Sequence, residues 1–358
     1  MTTNKVIKQP NEKERLEALQ SLNILETPLE ERFERITRLV CNTLDVAISA
    51  VSCIDLHRQW FKSIQGLNVD QTERCVAFCQ HTIQDDKVLV IPDARFDDRF
   101  ASNPLVTGDP GIVFYAGAPI FSEDGMPVAT LCIIDREPRS LSDNEIQTLY
   151  DFARVVEEML HTPRQNIVEE TLINQIGESW RAGMIDPLTR TWNAEGIKTL
   201  IEETVNHANR SEETVCVSKL TLGRVKAFDS EHGPAAGDIL ISTFARECLT
   251  LLEPHDSIGH LLRDEFSLIL TKVKDEHDVI DRLLKFQQLA DCVQMDGIDG
   301  STRLSARVAA LIVPPGSKRD IHHLLGKVED AMRDAETNAQ DMLLVRTYEA
   351  DTEFESAA

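Results

Sequence analysis

The first half of the chain alternates amphipathic stripes with runs rich in β-branched residues. Leucines at three-residue spacing between residues 11 and 26 predict a helix, and a second helix opens after Pro28. A strand is predicted over Ile48–Asp55, paired across a turn with the run WFKSI. Two further runs, FYAGAPIF and PVATLCIID, flank the turn SEDG and predict a hairpin.

The pattern then changes to longer helices. Residues Ser140–Asp143 suit a helix N-cap, so a long helix is predicted after them. Pro163 interrupts that helix, and an apolar stripe with helical spacing resumes from Ile167 to about Trp180. We therefore predict a helical connector over residues 161–184. Its stripe is typical of a packing seam, which lies either within one chain or between two copies.

The second half alternates helical and strand patterns. The predicted elements are helices 193–208, 235–252, 275–292 and 320–336, strands 214–222, 303–313 and MLLVRTYE, and a hairpin centred on residues 262–264. This alternation predicts an α/β domain with a mixed sheet. The fold class expected for the whole chain is therefore two-domain, α+β followed by α/β.

Size and charge narrow the possible functions. The 358 residues are enough for two domains of ordinary size, and the formal net charge is −23. Such an acidic chain repels phosphate backbones and anionic lipid, so neither nucleic-acid nor membrane binding is expected. No apolar run approaches the roughly 18 residues of a membrane-spanning helix. The N-terminal segment also lacks the apolar core of a signal peptide, which predicts a cytoplasmic protein.

Six motifs of the first half occur in a recognisable order. They are RLEALQSLNILETP, DLHRQWFKSIQGL, FCQHTI, IPDARFDDRFASNPLVTG, FYAGAPI and TLCIIDREPRSLS. In number and order they resemble the GAF sensor domains that precede cyclase domains, and we assign residues 1–160 to such a domain. The resemblance implies an antiparallel sheet with helices.

A sheet covered by helices on one face leaves its other face to loops, and a pocket beneath such loops suits a small ligand. Candidate lining residues are Cys79, His81, Phe114, Tyr115 and Asp135. For each of them, packing or a turn cap is the competing interpretation. The close pair Cys75 and Cys79 also leaves cysteine redox sensing open.

Four motifs of the second half also occur in order. They are DPLTRTWNAEG, KAFDSEHGPAAGD, HLLRDEFSLIL and EDAMRDAETNAQD. They resemble a GGDEF domain, which we assign to residues 185–350, with a C-terminal tail over 351–358. The resemblance implies a diguanylate cyclase fold. Such an enzyme joins two GTP molecules with the help of Mg²⁺.

The residues that would handle metal and phosphate depart from this family pattern. Thr221 and Gly223 stand where carboxylates are expected. The two signature glycines are replaced by Leu262 and Arg263, whose side chains are expected to strain the turn and fill the phosphate space. The rest of the signature is Asp264–Glu265–Phe266. It predicts either a single metal site at the two carboxylates or an acidic hairpin tip with the phenylalanine in the core.

The nucleotide contacts implied by the resemblance are only partly present. Glu336 and Gln340 replace a Lys and an Arg that would bind triphosphate. Asp238 is retained and suits the N1 and N2 donors of guanine. Asp229 stands where an Asn is usual, and Lys226 is retained.

The expected product-inhibition motif RxxD reads Glu253–Pro254–His255–Asp256, so its arginine is lost. Binding of cyclic di-GMP at that position is therefore not expected.

We therefore predict a signalling protein with a ligand- or redox-sensing GAF domain and a catalytically inactive GGDEF domain that binds a protein partner. We expect no cofactor and no metal, and a homodimer formed through the GAF and connector helices. An active or weakly active diguanylate cyclase, using Mg²⁺ and GTP, is one alternative. A GTP-binding switch without turnover is the other.

Overall fold

The computed structural model describes residues 11–293, 304–316, 320–337 and 342–348. The chain divides into two compact units, residues 1–163 and 164–358. Within the described part of the chain, no helix combines the length and apolar character needed to cross a membrane.

The first unit is built on a six-stranded antiparallel sheet. Its strands are β1 (Ile48–Ile54), β2 (Arg58–Gln65), β3 (Gln71–Glu73), β4 (Leu89–Ile91), β5 (Phe114–Phe121) and β6 (Pro127–Asp135). They lie in the order β3-β2-β1-β6-β5-β4. Both predicted strand pairs are confirmed, because β1 pairs with β2 and β5 pairs with β6.

Helices cover the two faces of this sheet unequally. They are α1 (Glu12–Ser21), α2 (Glu31–Leu44), α3 (Cys79–Thr82), α4 (Pro104–Thr107) and α5 (Asp143–His161). The long helices α2 and α5 pack on one face, around a core that includes Phe33, Phe114 and Leu149. The other face forms a separate core with α3 and loop residues such as Phe78 and Phe100. This is the loop-covered face that the sequence predicted.

The second unit has a five-stranded mixed sheet. Its strands are β7 (Val215–Gly223), β8 (Ser257–Leu262), β9 (Glu265–Leu270), β10 (Ser305–Val313) and β11 (Leu343–Thr347), in the order β11-β10-β7-β9-β8. The β10–β11 pair is parallel, whereas β7 pairs antiparallel with both β9 and β10. The predicted mixed sheet and hairpin are therefore confirmed.

Seven helices of the second unit are described. They are α6 (Ile167–Gln175), α7 (Glu178–Ala182), α8 (Ala194–Ser211), α9 (Val225–His232), α10 (Pro234–Leu251), α11 (Glu276–Cys292) and α12 (Ile321–Thr337). The predicted connector supplies α6 and α7, and its Leu172 and Ile173 are buried in the core of this unit.

Helix α9 was not predicted from the sequence. Residues with positive φ bracket it, since φ is 72° at Arg224 and 87° at Gly233. Gly233 lets the chain reverse directly into Pro234, which opens α10. An eight-residue helix between two such turns carries too little periodic pattern to be recognised from the sequence.

Candidate functional site

A cluster of buried polar side chains lies on the loop-covered face of the first unit. The Tyr115 hydroxyl shares a hydrogen bond of 2.6 Å with Thr82 Oγ1 and lies 3.4 Å from Cys79 Sγ. Cys79 Sγ in turn lies 3.7 Å from Cys132 Sγ. The Tyr115 hydroxyl has room because residue 117 is glycine: a Cβ there would lie 2.2 Å from it. The cluster therefore depends on close packing against the β5 backbone.

The two thiols of this cluster are electrostatically unequal. Burial disfavours a thiolate at Cys79, but hydrogen bonds from neighbouring thiol and hydroxyl groups outweigh it and lower the Cys79 pKa. The contact with Cys79, together with burial, raises the pKa of Cys132. Cys79 is therefore the more acidic thiol of the pair, and both thiols are buried.

Not all predicted pocket residues reach this cluster. His81 also lies on α3, but its ring packs edge-on to Phe100 at 4.9 Å, and burial lowers its pKa. Phe114 lies on the opposite face of the sheet, in the core with α2 and α5. Asp135 caps the end of β6 by accepting from the Arg136 backbone N–H at 2.7 Å. The structure thus brings together Cys79 and Tyr115, but not His81, Phe114 or Asp135.

The sequence missed Cys132 as the partner of Cys79. The predicted redox pair was Cys75 with Cys79, but Cys75 is exposed and its thiol donates to Glu73 at 3.5 Å. A usable signal was present, because the β5–β6 register places Cys132 opposite Gly117, two residues from Tyr115.

In the second unit, the β8–β9 hairpin closes over Arg263 and Asp264, since Leu262 pairs with Glu265. The expected strain at the former glycine positions is wrong: neither Leu262 nor Arg263 has a positive φ. A register shift between His260 and Leu262 gives the hairpin a bulge, and this alters the turn geometry so that glycine is not required.

Arg263 turns back from the hairpin tip and contacts α9 and α10. Its Nε donates to Asp229 Oδ2 at 2.7 Å and its Nη2 to Asp229 Oδ1 at 2.6 Å. Nη1 donates to Asp238 Oδ1 at 2.7 Å, and Nη2 also reaches the Pro234 carbonyl at 3.2 Å. One guanidinium thus binds Asp238, which the resemblance assigned to guanine, and Asp229, which stands where an Asn is usual.

Gly237 permits the close approach of Arg263 to Asp229. A Cβ at that position would lie 1.8 Å from Asp229 Oδ1 and 2.8 Å from Arg263 Nη2. The hydrogen bonds from Arg263 lower the carboxyl pKa of Asp229. The ion pair therefore contributes stability above the unfolded Asp pKa of about 3.9 and loses it as the pH falls through the depressed folded value.

A second cation lies beside the signature carboxylate. Lys219 of β7 is buried, and its Nζ lies 3.0 Å from Glu265 and 2.9 Å from both carboxylate oxygens of Glu329 on α12. These ion pairs raise the Lys219 pKa against the opposing effect of burial. A signal for this ion pair was present in the sequence, because a lysine that interrupts the apolar strand VCVSKLTL requires a buried partner.

The other residues near the expected metal position supply few ligands. Thr221 lies directly opposite Glu265, and its hydroxyl is buried with no hydrogen-bond partner in the described residues. An acidic side chain at Gly223 would meet Ser305, since a Cβ there lies 2.4 Å from Ser305 Oγ. Within the described ranges, no three His, Cys, Asp or Glu side chains form a group that could hold a metal ion.

The remaining predicted residues occupy structural or exposed positions. Phe266 is fully buried with its ring 5.4 Å from that of Phe244. Lys226 and Glu336 are exposed on α9 and α12, and Gln340 lies outside the described residues.

Of the four residues at the expected inhibitory motif, only Asp256 is buried. Asp256 is buried, ion-pairs with Arg282 and accepts from the Glu253 backbone N–H at 2.9 Å. The Asp256 carboxylate is therefore already bound by groups of the same domain. Glu253 places a negative charge where the family motif has an arginine that binds phosphate.

Comparison with known proteins identifies both units. Residues 28–160 match the GAF domain family, and residues 183–342 match the family described as diguanylate cyclase, GGDEF domain. The chain therefore carries a GAF domain followed by a GGDEF domain.

Two curated relatives carry names from cyclic di-GMP metabolism. One is a cyclic di-GMP phosphodiesterase of Pseudomonas aeruginosa, 40% identical over 151 residues that make up 42% of this chain and 26% of that protein. The other is the diguanylate cyclase DgcP of Escherichia coli, 26% identical over 203 residues that make up 55% of each chain. The chain thus spans little more than half the length of one relative and about a quarter of the other.

A solved structure with a similar fold is the GGDEF domain of DgcB from Caulobacter crescentus in complex with c-di-GMP. It is 16% identical, has a TM-score of 0.41, and covers 45% of this chain and 95% of that chain.

The residues present do not fit the Mg²⁺ that a cyclase of this family would need. Glu265 already neutralises the Lys219 ammonium at 3.0 Å. The hydroxyl of Thr221 is a neutral group and a weak ligand for a hard cation, compared with a carboxylate. A divalent ion here would share Glu265 with a buried positive charge, which disfavours it electrostatically.

The polar cluster of the GAF domain predicts a coupling between Tyr115 and Thr82. Tyr115→Phe should lower the free energy of unfolding by about 1–3 kcal/mol, because it leaves the buried Thr82 hydroxyl without this partner. The double variant Tyr115→Phe with Thr82→Val should lose less unfolding free energy than the sum of the losses in the two single variants. Denaturant unfolding of the four proteins in this cycle measures the coupling, and strict additivity would contradict it.

The Lys219 ion pairs predict a selective loss of stability. Lys219→Met should lower the unfolding free energy by about 1–2 kcal/mol, because it removes the cation shared by Glu265 and Glu329, and solvent screens part of that interaction. Lys226→Met is the matched control, since Lys226 is exposed. Equal melting temperatures for the two variants would show that the buried lysine has no such role.

Proposed function

We propose that this chain is a cytoplasmic signalling protein whose GAF domain senses a small ligand or redox state. In this proposal its GGDEF domain makes no cyclic di-GMP and acts by binding a protein partner. The observation that carries the proposal is the buried Lys219 ammonium held against Glu265 at 3.0 Å.

Cyclase chemistry requires positive charge that can be directed at the phosphates of two GTP molecules. Here the cation beside Glu265 belongs to the buried Lys219 side chain and is shared by two carboxylates. On α12, Glu336 presents a negative charge where the triphosphate would need a cation. The shared Lys219 cation and the negative charge of Glu336 both oppose the binding and turnover of a nucleoside triphosphate.

The sensing part of the proposal is supported by the interior of the GAF domain. Cys79 and Cys132 lie 3.7 Å apart and differ in pKa direction, an arrangement that suits thiol chemistry. His81 and Tyr115 lie close to the same face of the sheet and would line a ligand site there. A cytoplasmic location agrees with eight free cysteines, which a reducing compartment maintains.

The names of the two curated relatives support a role in cyclic di-GMP signalling. Since the chain spans only part of each relative, neither activity transfers directly. An active cyclase and a GTP-binding switch without turnover remain the competing functions, and the next experiment separates all three.

Incubation of the full chain with GTP and Mg²⁺ should give no dinucleotide product, because the metal position is paired with Lys219. Chromatography of the reaction measures product, and thermal melting with the same ligands measures binding. No melting shift is expected with GTP–Mg²⁺ or with cyclic di-GMP.

The double variant Asp264→Ala with Glu265→Ala is the control for turnover. A product formed by the wild type and lost in this variant would establish an active cyclase and refute the proposal. A melting shift with GTP but without product would instead support the nucleotide-binding switch.

We also propose a homodimer formed through the GAF and connector helices. Ile167 and Trp180 in the connector are 63% and 70% exposed, which suits a seam between two copies. Light scattering should show a dimer for the wild type and a monomer for Ile167→Glu with Trp180→Glu. Ile239→Glu is the control, since Ile239 is 45% exposed and lies on α10, outside the GAF domain and the connector. A monomeric wild type would contradict the dimer, and a dimeric double variant would exclude this seam.

A further inference from the structure

Two buried thiols lie next to each other in the GAF domain with no bond between them. Cys79 Sγ on α3 and Cys132 Sγ on β6 are 3.7 Å apart, and both residues are almost completely buried. A disulfide places its sulfurs about 2.0 Å apart. The sulfurs of Cys79 and Cys132 would therefore have to approach by about 1.7 Å to form one, a distance that a side-chain rotation and a small shift of one element can supply.

The elements that carry the two thiols are not held equally firmly. Cys132 lies in the middle of β6, which pairs with β1 on one side and with β5 on the other. Cys79 begins α3, a helix of four residues whose N-cap, Phe78, makes no side-chain capping hydrogen bond. A single helical turn depends on tertiary contacts and opens more readily than a strand paired on both edges. Opening of α3 is therefore the way in which a small molecule from solution reaches the Cys79 sulfur.

Donor groups converge on the Cys79 sulfur. The Tyr115 hydroxyl donates to it at 3.4 Å. The buried hydroxyls of Ser52 and Thr130, which lie 2.8 Å apart, are also near it. Burial opposes ionisation of Cys79, but hydrogen bonds with Cys132 and with these hydroxyls outweigh burial and lower the pKa of this thiol. Of the two sulfurs, Cys79 is therefore the one that attacks an oxidant, and Cys132 is placed to attack Cys79 in turn.

We propose that Cys79 and Cys132 form a reversible disulfide, with hydrogen peroxide as the oxidant, and that this bond is the redox signal of the GAF domain. This inference rests on the proposed function and deepens it, because it names the two sulfurs, the oxidant and the bond that forms. In a reducing compartment a disulfide of this kind is transient, as a sensor requires.

The bond forms in two steps. The Cys79 thiolate attacks the O–O bond of the peroxide. One oxygen becomes a sulfenic hydroxyl on Cys79, and the other leaves as hydroxide and takes up the proton that the thiol lost. The Cys132 sulfur then attacks the sulfenic sulfur: the S–S bond forms, the S–O bond breaks, and the hydroxide leaves as water with the Cys132 proton. Two thiols and one peroxide thus give one disulfide and two waters, and a dithiol reductant reverses the reaction by exchange.

The disulfide would change how α3 covers the sheet. Closing the gap between the sulfurs moves α3 relative to β6. Phe78 precedes Cys79 and stacks on Phe100 with ring centroids 4.1 Å apart, so the shift reaches the loop that carries Phe100. At the other end of α3, Thr82 holds the Tyr115 hydroxyl at 2.6 Å. The bond also suppresses opening of α3, because it ties this helix to a strand that is paired on both edges.

The test is oxidation of the full chain with hydrogen peroxide, followed by blocking of the remaining thiols and peptide mapping by mass spectrometry without reductant. The expected result is a pair of peptides joined through Cys79 and Cys132, and dithiothreitol should restore both thiols. The exposed thiols of Cys75 and Cys292 show in the same map that the oxidant is active. Oxidation of these two without the Cys79–Cys132 bond would overturn the inference.

Three cysteine variants identify the partner of Cys79. Cys132→Ser should leave Cys79 without a disulfide. Cys75→Ser should keep the Cys79–Cys132 bond, and a bond from Cys79 to Cys75 in the wild type instead would overturn the inference. Cys53→Ser is the matched control and should also keep the bond, because Cys53 is buried in the same sheet but in the core beneath α2 and α5.

Hydrogen exchange gives a second measurement that needs only the wild type, so it holds even if Cys132→Ser fails to fold. The amides of His81 and Ile83 donate to carbonyls within the same short segment, and their exchange requires α3 to open. Oxidation should slow their exchange by about tenfold or more, and reduction should restore it. Equal exchange before and after the bond forms would overturn its role as the signal.

The outcomes separate this inference from the proposed function. If peroxide forms no Cys79–Cys132 bond, the disulfide is refuted, while ligand sensing by the GAF domain and an inactive GGDEF domain still stand. Dinucleotide production from GTP and Mg²⁺ by the wild type refutes the proposed function, whatever the peptide maps show.

Discussion

The alternation of side chains along β7 determines what the GGDEF domain presents on each face of its sheet. Lys219 and Thr221 face the same side as Glu265 and α12, whereas Leu220 faces the opposite side with Phe266. Because β7 is paired on both edges, its register cannot slip to move the lysine elsewhere. The Lys219 ammonium is therefore held beside Glu265 of the signature. That placement decides which charge lies next to this carboxylate.

Alternation of side chains along a strand also determines what lies on each face of the sheet in the GAF domain. Neighbouring residues of β5 face opposite sides, so Phe114 joins the core under α2 and α5 while Tyr115 joins the polar cluster under α3. A sheet with two buried faces leaves few places for polar atoms. The hydroxyls and thiols on the α3 side hydrogen-bond to one another, and on the α2 side the buried Thr37 and Ser63 hydroxyls do the same.

Local patterns predicted the elements well, and distant contacts explain most of what was missed. The strand pairs and the mixed sheet follow from residues close together in sequence or from regular alternation. The targets of Arg263 do not, because Asp229 and Asp238 lie 34 and 25 residues before it and meet it only at a corner formed by α9, which the sequence did not reveal. Cys132 was missed for a related reason, since its contact with Cys79 spans 53 residues. The expected turn strain was wrong because one bulge at His260 changed the backbone geometry that glycine would otherwise provide.

The Arg263 fork has a mechanical consequence for the surface around it. It fastens the hairpin tip to two helices, so three elements that would otherwise move separately keep a fixed relative position. Lys219 does the same between β9 and α12. A rigid surface loses little conformational entropy when another protein binds to it, so more of the contact energy remains as affinity. The contacts of Arg263 and Lys219 thus leave a preorganised face on the domain.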